Sequence, residues 1–179
     1  MAEEKTPKTT APSAARHGAK QELSITRFFD APPEMVFRAW TDPLQVAEWW
    51  GPDGFTNPVC EWDARCGGAI RLQMLGPDGS EFPIKGQFHE VAEPERLVLK
   101  TSALEGRTGP LVEVLHMATF IEHHSSTELR LRALAVARQP ESAFALDGMD
   151  ECLNESMDRL TAHLGLITSA NGNFSNSVQ

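Results

Sequence analysis

Asp147-Gly-Met-Asp-Glu-Cys-Leu-Asn-Glu-Ser-Met-Asp-Arg-Leu-Thr-Ala-His-Leu-Gly165 is the stretch whose periodicity decides the fold. Met149, Leu153, Met157, Leu160 and Leu164 recur at steps of three and four, while Asp150, Glu151, Asn154, Glu155, Asp158 and Arg159 fill the opposite side, the pattern of a helix with one buried stripe. Asp147 is placed to cap the first turn, Asp150 and Glu151 suit the positive end of the helix dipole, and Gly165 suits a left-handed stop. A helix of this length is marginal alone in water, so its stripe must lie on something apolar.

The preceding chain offers strands. Leu23 to Phe29 alternates and is rich in β-branched and aromatic residues, which predicts a first strand. Pro32-Pro33 then opens a short helix carrying Met35, Val36, Ala39 and Trp40. Thr41-Asp42-Pro43 breaks it and starts a second one, with Leu44, Val46, Ala47, Trp49 and Trp50, which Gly51-Pro52-Asp53-Gly54 ends. Six further strands are predicted: Thr56 to Asp63, Ala69 to Leu75, Glu81 to Val91, Arg96 to Ser102, Val112 to Glu122 and Thr127 to Val136. Gly76-Pro77-Asp78-Gly79 and Ala92-Glu93-Pro94-Glu95 read as turns. Ile70, Leu72 and Met74 alternate with Arg71 and Gln73, so the strands are wet on one face and apolar on the other. The expected class is α+β: a helix-grip, in which an antiparallel sheet wraps the C-terminal helix and two short helices plug one end. Residues 1–20, rich in Lys, Thr, Pro, Ala and Ser, read as a disordered arm, and residues 166–179 as a flexible tail.

The chain has 179 residues, 41% of them hydrophobic, and a formal net charge of −9, which suits one domain and would repel a phosphate backbone. Nucleic acid is therefore not an expected partner. Cys60, Cys66 and Cys152 are odd in number and unpaired by spacing, so reduced thiols and a cytoplasmic location are expected, with no metal site. No run is long and apolar enough to insert in a membrane. Gly67-Gly68 is followed by no helix, so it reads as a tight turn and not as a phosphate loop. No cofactor is expected. The sequence leaves a homodimer open.

Ala31-Pro-Pro-Glu-Met-Val-Phe-Arg-Ala-Trp-Thr-Asp-Pro43, Glu48-Trp-Trp-Gly-Pro52, Asp63-Ala-Arg-Cys-Gly-Gly68, Gly76-Pro-Asp-Gly79 and Glu90-Val-Ala-Glu-Pro-Glu-Arg-Leu-Val98, with Gly148-Met149, Ser156 and Asp158-Arg-Leu160, resemble the bacterial proteins named after the activator of Hsp90 ATPase. These are similar to that activator's C-terminal domain and belong to the START-like, Bet v 1-like superfamily. The resemblance covers about residues 22–165. It implies a seven-stranded sheet around the C-terminal helix and, as in many superfamily members, a cavity for apolar molecules. Two departures stand out. Cys66 replaces the family's proline, and Cys152-Leu153 replaces the Gly-Trp of many members, removing an indole from the inner face of the last helix.

Three functions follow as expectations. The first is binding of a small apolar or amphipathic molecule between sheet and helix, with Trp50 at the mouth and Leu72, Met74, Phe88, His116, Met149, Leu153 and Met157 around it. The second, implied by some superfamily members, is an enzyme of the polyketide cyclase or hydrolase type in the same cavity. Its acid/base would be His89 or His116, since imidazole titrates near neutrality. The third, implied by the family name alone, is an interaction module for an Hsp90-type chaperone. Trp40 and Trp49 read as anchors for the short helices, and His123 and His124 as a solvated turn.

Overall fold

The structure, a computed structural model, describes residues 19–104, 110–138 and 144–175. Seven antiparallel strands form one curved sheet: β1 (Lys20–Phe29), β2 (Thr56–Trp62), β3 (Ala69–Leu75), β4 (Glu81–Ala92), β5 (Arg96–Leu104), β6 (Pro110–His123) and β7 (Ser126–Ala137). Their order is β1-β7-β6-β5-β4-β3-β2. From β2 onward the chain meanders, and β1 joins the far edge by pairing with β7, Lys20 opposite Val136 and Phe29 opposite Thr127. The helices α1 (Pro33–Thr41) and α2 (Pro43–Trp49) carry the chain from one edge of the sheet to the other.

The two short helices form where proline chemistry requires. Pro33 takes the first position of α1, where its missing N–H costs nothing. Asp42, held extended before Pro43, ends α1 and accepts from the Leu44 amide at 2.9 Å to cap α2. Along β6, Val112, Val114, Ala118 and Phe120 are buried, and along β7 Leu129, Leu131, Ala133 and Ala135. These alternate residues present one apolar face, and Leu153, Met157, Leu160 and Leu164 of the C-terminal helix are buried with them in a single core.

That helix, α4 (Met149–Ser175), departs from the sequence reading at both ends. Asp147 is not its cap, because it closes a separate short helix, α3 (Phe144–Asp147), with Gly148 at the turn between them. Gly165 does not stop it. With no proline after Gly165, Leu166, Ile167 and Ala170 continue the helix at a cost of about 1 kcal/mol for the glycine. Thr168 and Ser169 hydroxyls donate to the carbonyls of Leu164 and Gly165 at 2.9 and 2.8 Å. Residues 166–175, expected as flexible tail, are therefore helical, and 176–179 lie outside the described residues. At the other end β1 begins at Lys20, inside the expected arm, whose residues 1–18 also lie outside the described residues.

Candidate functional site

Three of the four tryptophans crowd α1, α2 and the residue after them, and two indoles supply a need that the short helices create. A helix leaves its last carbonyls without intrahelical donors. The Trp49 indole N–H donates to the Ala39 carbonyl at 2.8 Å, and that of Trp62 to the Trp40 carbonyl at 2.9 Å. Trp40, Trp49, Trp50 and Trp62 then stack in a chain of tilted and edge-on rings with centroids 4.9–5.5 Å apart between neighbours.

The end of α2 is held in the same way, by side chains distant in sequence. Asn57 donates to the carbonyls of Ala47 and Trp50 at 2.9 and 2.8 Å. Arg159 of α4 donates to four carbonyls: Glu48 at 2.8 Å, Trp50 at 3.3 Å, Gly51 at 3.0 Å and Pro52 at 2.9 Å. Glu155, one turn earlier, accepts from the Asp53 amide at 3.0 Å. The loop therefore rests on α4. Gly51 is required at its centre: its φ is +94°, and a Cβ there would come within 3.0 Å of Met74 Sδ. The sequence reading put Arg159 and Glu155 on the wet face of the helix. The signal for Arg159 was a short helix ending in Gly-Pro with no cap of its own, which leaves carbonyls in need of donors.

Between this loop, the sheet and α4 lies a cavity of ≈ 340 Å³, within the usual range for small-molecule sites. Trp40, Trp49, Trp50 and Gly51 form one wall, and Met149, Cys152, Leu153, Ser156 and Met157 of α4 a second. The floor comes from the concave sheet face, through Met74, Ile84, Thr101, Val114, His116 and Leu131, and small residues, Ala103 and Gly148, border one end. No Asp, Glu, Lys or Arg lines it. Burial, aided by the Glu155 carboxylate, pushes the Cys152 thiol up to about 11, so the thiol stays protonated.

One titratable ring sits in this apolar wall. His116, 4% exposed, contacts Thr101 Oγ1 through Nε2 at 3.0 Å and lies edge-on to Trp50 with ring centroids 5.5 Å apart. Its Nδ1 has no partner among the described residues. Burial pushes its pKa down to about 4, so the ring is neutral at pH 7.

Of the residues the sequence proposed for the cavity, Trp50, Met74, His116, Met149, Leu153 and Met157 come together around it. Trp50 is buried in the wall, 8% exposed, not open at a mouth. Leu72 and Phe88 do not line it. Both are buried on the inner face, but Phe88 packs edge-on against Trp62 at 5.6 Å. His89 is exposed at a register shift in β4, where Phe88 pairs with Leu99 and Glu90 with Val98. A bulge leaves one residue unpaired and turned out, so His89 takes no part in the cavity. The Gly67-Gly68 turn beside it is tight: a Cβ at Gly68 would lie 1.8 Å from the Asp63 carbonyl oxygen. Cys66 donates from Sγ to the His89 carbonyl at 3.2 Å. Among the described residues no three His, Cys, Asp or Glu side chains gather as a metal site, and no helix is long and apolar enough to cross a membrane.

Residues 30–165 match the family model described as activator of Hsp90 ATPase homolog 1-like protein. Among solved structures, the chain is similar to a protein from Chromobacterium violaceum at 25% identity, over 80% of this chain and 96% of that one, with a TM-score of 0.67. It is similar in fold to an uncharacterized protein from Rhizobium leguminosarum, with 19% identity, coverage of 83% and 96%, and a TM-score of 0.73. A Silicibacter pomeroyi protein bearing the same family name shares the fold at 23% identity, coverage of 82% and 99%, and a TM-score of 0.66. No curated protein matches the chain.

Proposed function

The chain belongs to the activator of Hsp90 ATPase homolog 1-like family, and on that premise we propose that it binds a small apolar or amphipathic molecule in the cavity between its sheet and α4. The START-like fold of the family is commonly a ligand-binding fold. The observation that carries the reading is the cavity itself, ≈ 340 Å³ with a wall of aromatic, thioether and aliphatic groups and no formal charge. Native interiors are close-packed, and the apolar walls of a pocket of this size lack dispersion partners that an apolar occupant would supply. Met74, Met149 and Met157 are unbranched and adapt to ring-shaped guests.

Binding fits this site better than turnover. His116 touches Thr101 as its one polar side-chain partner, and its pKa of about 4 makes it a poor base near neutrality. His89 is exposed and outside the cavity. The chaperone reading rests on the family's name, and no contact surface among the described residues argues for it. The test is a methyl NMR titration with naphthalene. Saturable shifts centred on Met149, Leu153 and Met157 are expected, and shifts confined to the outer face of the sheet would overturn the proposal.

A further inference from the structure

Exposure is spread unevenly round the cavity, and the unevenness gives it a direction. Trp40, Trp49 and Trp50 on one wall are buried, as are Leu153, Ser156 and Met157 on α4. Among the described lining residues Ala103 and Gly148 are the ones that are exposed. Ala103 is informative because it points inward. It continues the row of Leu97, Leu99 and Thr101, all buried, and pairs with Ile84 on β4 and Val112 on β6, both buried cavity residues. With strands on both sides of β5, an inward-facing alanine reaches solvent only where nothing covers the inner face. Gly148, at the turn before α4, is the other exposed border, and Met149 and Cys152 on the first turn of α4 are half-buried. Burial thus deepens along β5 away from Ala103 and along α4 away from Gly148. The far end is closed: Phe120, beyond His116 on β6, is 4% exposed and packs against Trp40 with ring centroids 6.2 Å apart.

A polar group carried into the closed end gives up its water. The hydroxyls that line the cavity are already engaged, Thr101 with His116 at 3.0 Å and Ser156 with the Cys152 carbonyl at 2.8 Å. At the Ala103–Gly148 end the same group keeps its hydration. We propose, building on the binding function proposed above, that the opening bordered by Ala103, Gly148 and Met149 is the route by which the ligand enters. An amphipathic ligand then binds apolar end first and leaves its polar end in the opening, so the class that fits is polar at one end only.

The experiment has a ligand arm and a protein arm. Calorimetry on the wild type compares naphthalene with the 6-methyl and 6-hydroxy derivatives of 2-(2-naphthyloxy)ethanol, two molecules of nearly equal size, one polar at one end and the other at both. The 6-methyl compound should bind at least as tightly as naphthalene, and the 6-hydroxy compound at least about thirtyfold more weakly than the 6-methyl one. The protein arm narrows the opening. Gly148 is not held at a positive φ, and no described atom lies within 4 Å of where its Cβ would stand, so Gly148→Phe is accommodated. In stopped-flow tryptophan fluorescence, this variant should slow both association and dissociation of naphthalene about tenfold while Kd moves by less than about threefold. A merely structural defect would weaken Kd without slowing both rates together. Equal affinity for the 6-methyl and 6-hydroxy compounds, failure of both to bind where naphthalene binds, or unchanged rates in a folded Gly148→Phe protein would overturn the inference and leave the cavity reading standing. If naphthalene itself does not bind wild type, both fall. The ligand arm needs no variant, so it decides the matter even if Gly148→Phe fails to fold.

Discussion

A buried neutral histidine makes the stability of this domain depend on pH in a window that its carboxylates do not share. In the unfolded chain His116 titrates near 6.5, and in the folded protein burial holds it at about 4. Between those values the unfolded state binds a proton that the folded state refuses, so unfolding is favoured progressively as pH falls. The stability linked to His116 is thus fully present above about pH 6.5 and is lost as pH falls to about 4. At 1.36 kcal/mol for each unit, that loss amounts to roughly 3 kcal/mol. Other groups move in the same direction. His163 is lowered by burial, and Glu113 and Glu128 are held low by their hydrogen-bonded partners, Lys100 and Arg138 for the first, Arg130 and His123 for the second. These are common to wild type and to His116→Gln, whose amide keeps a polar contact with Thr101 but does not titrate. Urea unfolding of both proteins from pH 8 to pH 4 therefore isolates His116 in the difference between the two stabilities. That difference should be flat above pH 7 and shift by roughly 3 kcal/mol against wild type by pH 4. Parallel curves across the whole range would refute the placement of a neutral imidazole in an apolar wall.

Two further changes test the frame around the cavity. Leu160, fully buried on the inner face of α4, should cost about 2–5 kcal/mol on truncation to alanine. Asp158→Ala on the outer face, where the side chain is 73% exposed and 3.5 Å from Arg27, should cost under about 1 kcal/mol; equal losses in urea melts would show the helix faces misassigned. Arg159→Met removes the donor shared by the carbonyls of Glu48, Trp50, Gly51 and Pro52. It should cost about 1–3 kcal/mol and speed amide exchange in residues 50–54, and a loss within about 0.5 kcal/mol, as at an ordinary surface site, would show that the loop stands without it.

Local chemistry made the elements legible, while the site depended on geometry between elements. Alternation placed β3 over the same seven residues that the structure shows, and proline with its neighbours fixed both ends of α1 and α2. Gly165 misled because glycine ends a helix only where the following residues have reason to leave it, and Leu166 to Ala170 have none. For β6 both faces are rich in apolar residues, Leu115, Met117 and Ile121 against Val112, Val114 and Phe120, so the direction of His116 was unreadable from pattern alone. Burial of Val112, Val114 and Ala118 in step with it resolves the question. Leu72 and Phe88 were rightly inward, yet the inner face of the sheet is larger than the cavity. Which part of that face the tryptophan cluster covers, and which part α4 leaves open, follows from strand order and helix placement. Arg159 and Thr101 were missed for the same reason: their roles appear only once residues some 15 to 110 positions away are brought beside them.

The cavity's occupancy is the central claim, and Leu153→Trp tests it most directly. Leu153 lines the cavity from α4. A tryptophan there fills the volume from within the helix that already forms the wall, at an overpacking cost of about 1–3 kcal/mol that a folded domain tolerates. Naphthalene affinity is measured by calorimetry for wild type and variant, with near-ultraviolet circular dichroism confirming that both are folded. Saturable binding by wild type, weakened at least about tenfold in the folded variant, is the predicted result. Unchanged affinity in a folded Leu153→Trp protein would contradict the account.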